Sequence, residues 1–185
     1  KMICSAYSVI ASNFNRSDLI TYMKCSLSGI SEKDCDDFEI YTKKWNVNGN
    51  RFIDGIDWNM SPQGYVSKKD DRYADFLIRI NETKKKLISP LESLYTFASE
   101  NHTVKEHCRA LFEFLQSISL EKQLYELAER EEKEGNLQES DNYRRIFSVI
   151  CETLDLLCDT LPDTVLNAEG FSSLLRIVFS ETNIG

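Results

Sequence analysis

Three groups of residues in this 185-residue chain have types and spacings that chemistry uses. The first is cationic and aromatic: Lys43, Lys44 and Trp45 precede Arg51, Phe52 and Trp58, and Lys68, Lys69 and Arg72 lie beside Tyr65 and Tyr73. Cations interleaved with rings are the vocabulary of single-strand binding, with charge on phosphates and rings against bases. Lys84-Lys85-Lys86 and Arg144-Arg145 are further basic groups, and all four groups compete with a plain reading as solvated faces.

The second group is acidic. Asp34, Asp36, Asp37 and Glu39 crowd one helical turn, and Asp70, Asp71 and Asp75 crowd another. Paired carboxylates hold Mg²⁺, but that ion usually also needs substrate phosphate. Acids early in a helix also complement its dipole, which is the preferred reading. The third group is Cys4, Cys25, Cys35, Cys108, Cys151 and Cys158, with His102 and His107. No pair has C-x-x-C spacing, whereas zinc sites need paired ligands close in sequence. His107 and Cys108 are sequence neighbours and so face different ways on a helix, which denies them the hydrogen bond that a nucleophile and its base share. His107 is expected to be a partly exposed helix residue. Phosphate-cradling loops, dinucleotide fingerprints, zincin motifs and nucleophile elbows are absent from the sequence. No catalytic residue, cofactor-binding residue or metal ligand is assigned.

The elements that carry these residues read as helices. Hydrophobic residues make up 42% and charged residues 28%, as in a soluble globular chain. Seven Gly and three Pro are too few for an all-β chain built on tight turns. Spacings of three and four recur: Ile3, Tyr7 and Ile10; Leu19, Ile20, Met23 and Leu27 behind Ser17 as N-cap; Cys35, Phe38, Tyr41 and Trp45 behind Ser31. Tyr73, Phe76, Leu77, Ile80, Lys84 and Leu87 share a face, and Ser89-Pro90 should kink or restart that helix. Thr103 and Glu106 form a capping box ahead of Val104, Cys108, Leu111, Leu115 and Ile118. Ser119 caps a helix with Leu120, Leu124 and Leu127 inward, stopped by Gly135. A long helix follows from about Gln138 to Leu161, and a last one from about Ala168 to Ser180.

The expectation is an all-α, irregular domain of about eight or nine helices with no convincing strand, spanning 1–185 as one unit. A long loop at about 46–66 has its own apolar anchors, and loops of that length are often functional. The charge is uneven. Residues 1–100 carry 14 Lys+Arg and 14 Asp+Glu, while residues 101–185 carry 8 and 16 and so hold the whole net charge of −8. The acidic half repels phosphate or faces a basic partner. The free cysteines read as small hydrophobes in a reducing compartment. Lys1 is not a start Met and the last residues stop in mid-phrase, so the chain is expected to be an internal piece of something larger.

Five stretches, in order, carry a resemblance. They are Tyr22-Met23-Lys24 with Leu27-Ser28-Gly29-Ile30-Ser31; Tyr41 through Gly49 with Phe52; Thr103 through Phe112; Tyr143 through Leu157, with Leu154-Asp155 at its end; and Val178 through Gly185. Together they resemble an internal segment of the AddB (RexB) subunit of the bacterial AddAB helicase–nuclease. Lys43 and Asn48 depart from that family's commoner pattern. The resemblance implies a helical insertion like the 2B-like domain of superfamily-1 helicase-like proteins, in a cytoplasmic bacterial protein serving double-strand-break repair and recombination. It implies a non-catalytic accessory domain beside an AddA-type motor subunit and the rest of its own chain, with no membrane association. ATP, Mg²⁺ and the iron–sulfur cluster of the parent family would be held outside this segment. Any DNA contact is expected to be weak and to run through Lys43, Lys44, Arg51, Lys68, Lys69 and Arg72 on phosphate, with Trp45 or Trp58 stacking. The alternative is a free-standing helical protein-interaction module that uses its acidic half.

Overall fold

The computed structural model describes residues 1–64 and 73–181. Among the described residues there are eight α-helices: α1 (Met2–Ala11), α2 (Arg16–Met23), α3 (Glu32–Lys44), α4 (Ala74–Ala98), α5 (Val104–Ser117), α6 (Leu120–Glu134), α7 (Leu137–Thr160) and α8 (Ala168–Glu181). One 3₁₀ turn spans Gly49–Phe52. Two-residue strands, β1 (His102–Thr103) and β2 (Val165–Leu166), pair antiparallel and escaped the periodicity reading because they are so short. The all-α expectation holds. Among the described residues no helix is long and apolar enough to cross a membrane. The chain divides into two compact units, Lys1–Glu92 and Ser93–Gly185.

In the first unit, most residues of the expected stripes of α1, α2 and α3 are buried, including Tyr7, Leu19, Met23, Phe38 and Tyr41. Helix α2 stops at Met23, so Leu27 lies beyond it and is half-buried, as is Trp45 at the C-cap of α3. Helix α1 ends when the Phe14 N–H reaches the Val9 carbonyl at 2.8 Å and the Asn13 N–H reaches that of Ile10 at 3.0 Å. That is a Schellman closure, which needs a left-handed residue just beyond the helix. Asn13 supplies it at φ 56, and Phe14 follows at φ 57. Asn tolerates this region, but for Phe it costs about 1–3 kcal/mol. Complete burial of the Phe14 ring, worth about 1.5–3 kcal/mol, offsets that cost. Helix α2 starts before the expected Ser17. Asn15 is its N-cap, and the Asn15 side chain accepts from the Ser17 N–H at 2.9 Å. Ser31 caps α3 as expected, accepting from the Asp34 N–H at 3.2 Å.

Helix α4 runs through Pro90 without restarting. Pro removes one ladder bond, at a cost of about 3 kcal/mol. Burial of Leu87, Ile88, Leu91 and Leu94 around it exceeds that loss.

In the second unit, both halves of the Thr103–Glu106 capping box form. Helix α5 buries Val104, His107, Cys108, Leu111, Phe114 and Leu115. Ser119 stands at the N-cap of α6 in left-handed geometry (φ 53), with no capping bond from its side chain. Gly135, at φ 87, closes α6 as expected, and α7 returns against α6 as a helical hairpin. Leu124 and Ala128 are buried on α6, while Leu127 is only half-buried. His107 is fully buried, against expectation: its ring stacks on Phe171 at 4.5 Å, and Nε2 donates to the Leu166 carbonyl at 3.0 Å. The β1–β2 pair folds the chain over this ring, which no local pattern announces.

Candidate nucleic-acid interface

The cationic and aromatic residues of the first unit gather at the C-terminal end of α3. Its last turn closes like that of α1, with the Val47 N–H on the Thr42 carbonyl at 2.9 Å and Asn46 left-handed at φ 48. Arg16 covers the same end. Its Nη1 donates to the Thr42 carbonyl at 3.2 Å, to Asn46 Oδ1 at 3.3 Å and to the Val47 carbonyl at 3.5 Å. A guanidinium there adds donors to carbonyls at and just beyond the helix end, and it complements the negative end of the dipole. Asn48 Oδ1 accepts from the Arg16 N–H at 2.7 Å, and the Gly49 N–H donates to the Phe14 carbonyl at 3.0 Å. The turn after α3 is thereby tied to the start of α2.

The residues expected at DNA have unequal surroundings. Lys44 Nζ donates to the Pro62 carbonyl at 2.7 Å, and Trp45 Nε1 to the Ser61 carbonyl at 3.1 Å. The Tyr41 hydroxyl donates to the Met60 carbonyl at 3.0 Å, and burial pushes its phenol up to about 12. Arg51 Nη1 donates to the Trp45 carbonyl at 3.4 Å. These side chains supply donors to a loop segment, Met60 to Pro62, that has no ladder of its own. Trp58 is 4% exposed. Tyr41, Phe38 and Phe52 surround its ring at centroid distances of 5.7, 5.5 and 5.9 Å, and Lys84 Nζ lies over it at 4.9 Å. A ring so enclosed belongs to the core and offers no face to a base. Lys43 is exposed and, among the described residues, its side chain makes no hydrogen bond or ion pair. Lys68, Lys69 and Arg72 lie outside the described residues.

Lys43 lines a groove of about 490 Å³ between α2 and α3, with Arg16, Ser17, Lys24, Glu39 and Asn48 among its other walls. Lys24 and Glu39 pair across it at 2.5 Å. The Glu39 bond raises the Lys24 ammonium above its ordinary value. Arg16 carries no signal in the sequence, since it sits in no charge cluster, and Asn48 stands out there only as a departure from the family pattern. Nor does the sequence point to Asn81, whose Oδ1 accepts from the Trp58 N–H at 2.8 Å and whose Nδ2 donates to the Trp58 carbonyl at 2.9 Å. In the sequence Lys84 belongs both to a basic run and to the inner face of α4. It is buried, bonding the Ile56 carbonyl at 2.8 Å and Asp54 Oδ1 at 3.2 Å.

Three of the four acids clustered on α3 are held by neighbours. Asp37 meets Arg79 Nη2 at 2.6 Å, Asp34 accepts from the Ser31 hydroxyl at 2.6 Å, and Glu39 holds Lys24. Asp70 and Asp71 lie outside the described residues. Among the described residues no three His, Cys, Asp or Glu side chains converge as a metal would require. Burial and the adjoining Cys158 raise the Cys108 thiol well above its ordinary value, the opposite of what a thiolate ligand needs.

No protein-family model matches the chain. Curated relatives do. It is 26% identical over 184 residues to the B subunit of an ATP-dependent helicase/deoxyribonuclease from Clostridium botulinum (strain Loch Maree / Type A3), which is 100% of this chain and 16% of that protein. Proteins of the same name from Caldanaerobacter subterraneus subsp. tengcongensis and Clostridioides difficile (strain 630) are 22% and 23% identical, over 98% and 100% of the chain and 16% of each protein. The chain thus spans about one sixth of the length of the relatives it matches. Matched from end to end by so small a share of each, it fits an internal segment of an AddB-type helicase/deoxyribonuclease subunit.

Proposed function

We propose that the chain is a non-catalytic helical accessory segment of an AddB-type ATP-dependent helicase/deoxyribonuclease subunit, the counterpart of a 2B-like insertion. One observation carries the reading: similarity along the whole chain to a small share of much longer proteins of that name. The segment would help to position the lobes of its parent chain, meet an AddA-type motor subunit and guide DNA during double-strand-break processing in the bacterial cytoplasm. ATP, Mg²⁺ and an iron–sulfur cluster would be held by other parts of the parent. The absence of a phosphate-cradling loop from the sequence and the lack of a converging ligand set among the described residues support a non-catalytic role.

The test compares the isolated chain with the full-length parent in complex with its motor partner. Each is supplied with DNA, ATP and Mg²⁺. The complex is expected to hydrolyse ATP and degrade DNA, and the isolated chain to do neither. Turnover by the isolated chain that scales with its concentration would refute the non-catalytic role. An open reading frame that starts beside Lys1 and carries no helicase or nuclease motif would refute the assignment to a larger helicase–nuclease.

A further inference from the structure

We propose that the groove between α2 and α3 seats a phosphodiester of the DNA backbone, with Lys43, Arg16 and Ser17 as its donors. The proposal rests on the reading of the chain as part of a DNA-processing subunit. It keeps Lys43 from the expected contact set and adds Arg16 and Ser17, which lie outside the basic clusters of the sequence.

Spare hydrogen-bonding capacity distinguishes the cations of this groove. Phosphate contacts come from cations and hydroxyls that have not already spent their donors. Lys44, Trp45 and Arg51 direct donors to the Pro62, Ser61 and Trp45 carbonyls. Those bonds use the one indole donor of Trp45 and hold Lys44 and Arg51 against the loop, although each of these two cations keeps further N–H donors. Lys43 carries no such bond among the described residues, and it is one helix position from Lys44 but on the wall of the groove. The side-chain bonds of Arg16 all leave from Nη1, so Nη2 and Nε remain as donors. Those same Nη1 bonds hold the guanidinium in place, so less entropy is lost when it meets an anion. Ser17 stands exposed beside it in the first turn of α2.

The charge balance of the groove agrees. Its walls carry three cations, Arg16, Lys24 and Lys43, against the single carboxylate of Glu39. Glu39 is paired with Lys24, which leaves Arg16 and Lys43 to set the local field. The volume of about 490 Å³ lies within the range of roughly 300–1,000 Å³ typical of ligand clefts. The groove is open, as a continuous polymer requires, and polar, as a phosphate rather than a base requires. Two cations neutralise one or two phosphates, so affinity is low and acts through the effective concentration that the tethered parent supplies.

Fluorescence anisotropy of a labelled forked DNA tests this, on the chain and on the full-length parent, across a salt series. Lys43→Gln is expected to weaken binding several-fold and to lower the log–log salt slope by about 0.9. Lys122→Gln, the same charge change at an exposed α6 position in the second unit, is expected to do neither. Ser17→Ala is expected to weaken binding while leaving the slope unchanged. Equal effects of Lys43→Gln and Lys122→Gln would overturn the proposal, as would absence of DNA binding by the parent at low ionic strength. Displacement of DNA by inorganic phosphate well below the matching chloride concentration would also overturn it, in favour of a small-anion site. Equal effects of the two lysine variants, or displacement by phosphate, leave the ATPase and nuclease assays of the parent complex unaffected and so do not refute the assignment to a helicase–nuclease, whereas a parent that binds no DNA counts against both.

Discussion

Replacing Lys84 with Met tests how the loop after α3 is held. The ammonium is buried beside Trp58, donates to the Ile56 carbonyl at 2.8 Å and meets Asp54 Oδ1 at 3.2 Å. Methionine keeps the length and apolar stem of the side chain and deletes the charge. A charged donor on a carbonyl contributes about 1.5–3 kcal/mol. The Asp54 side chain is 31% exposed, so that pair adds only about 0.5–1 kcal/mol. Relief from desolvating the ammonium works the other way, and the expected net loss is about 2–3 kcal/mol. Trp45 and Trp58, the two tryptophans of the chain, both lie in the first unit, so urea unfolding followed by their fluorescence reads this unit directly. Burial opposes it, but the Ile56 N–H and Lys84 keep the Asp54 carboxyl below its ordinary value. The stability this supplies is present above the unfolded carboxyl pKa and is lost as pH falls through the folded one. In Lys84→Met that acid loss is expected to shrink. A midpoint within error of wild type, with an unchanged acid limb, would refute the account of Lys84 as the loop's anchor.

Three further outcomes are expected. Thr103→Ala removes the hydroxyl half of the capping box and should cost about 1 kcal/mol, read as a lower Tm by circular dichroism. Burial, and then the nearby His102, hold His107 below the ordinary imidazole value; the Leu166 carbonyl and Glu106 act against that. The neutral form is therefore the folded one, and stability is full above about pH 6.5 and falls below it by up to about 1.4 kcal/mol per pH unit. His102, 5.9 Å away, and Glu106 face the same ring, so the measurement is the difference between wild type and His107→Gln above the carboxylate range. A slope that survives the substitution would show that His107 is not its source. Pro90→Ala restores a ladder donor in the middle of α4 and should stabilise the chain by about 1–3 kcal/mol in urea titrations, less the entropy Pro removes from the unfolded state.

The sequence by itself determined the helices, because a helix is a local object. The three-and-four spacing of Ile3, Tyr7 and Ile10, or of Val104, Cys108, Leu111 and Leu115, names a buried face whatever lies opposite. The Thr103–Glu106 box and Gly135 mark ends through bonds only a few residues long. Two helix ends stayed hidden because Asn13 and Asn46 do the work usually given to Gly, and Asn also fits ordinary loops. The candidate site was less legible. Lys43, Lys44, Trp45, Arg51 and Trp58 look alike as a list of types, yet their environments are set by partners at other places in the chain. Trp58 joined the core through Asn81, Lys84 and Tyr41. Lys44 and Trp45 were drawn to carbonyls 18 and 16 residues away. Arg16 acquired its place only when the turn after α3 closed over α2. His107 went inside because β2, 59 residues on, laid the Leu166 carbonyl over it. Burial and spare hydrogen-bonding capacity are properties of an environment, and only the tertiary structure brings that environment together.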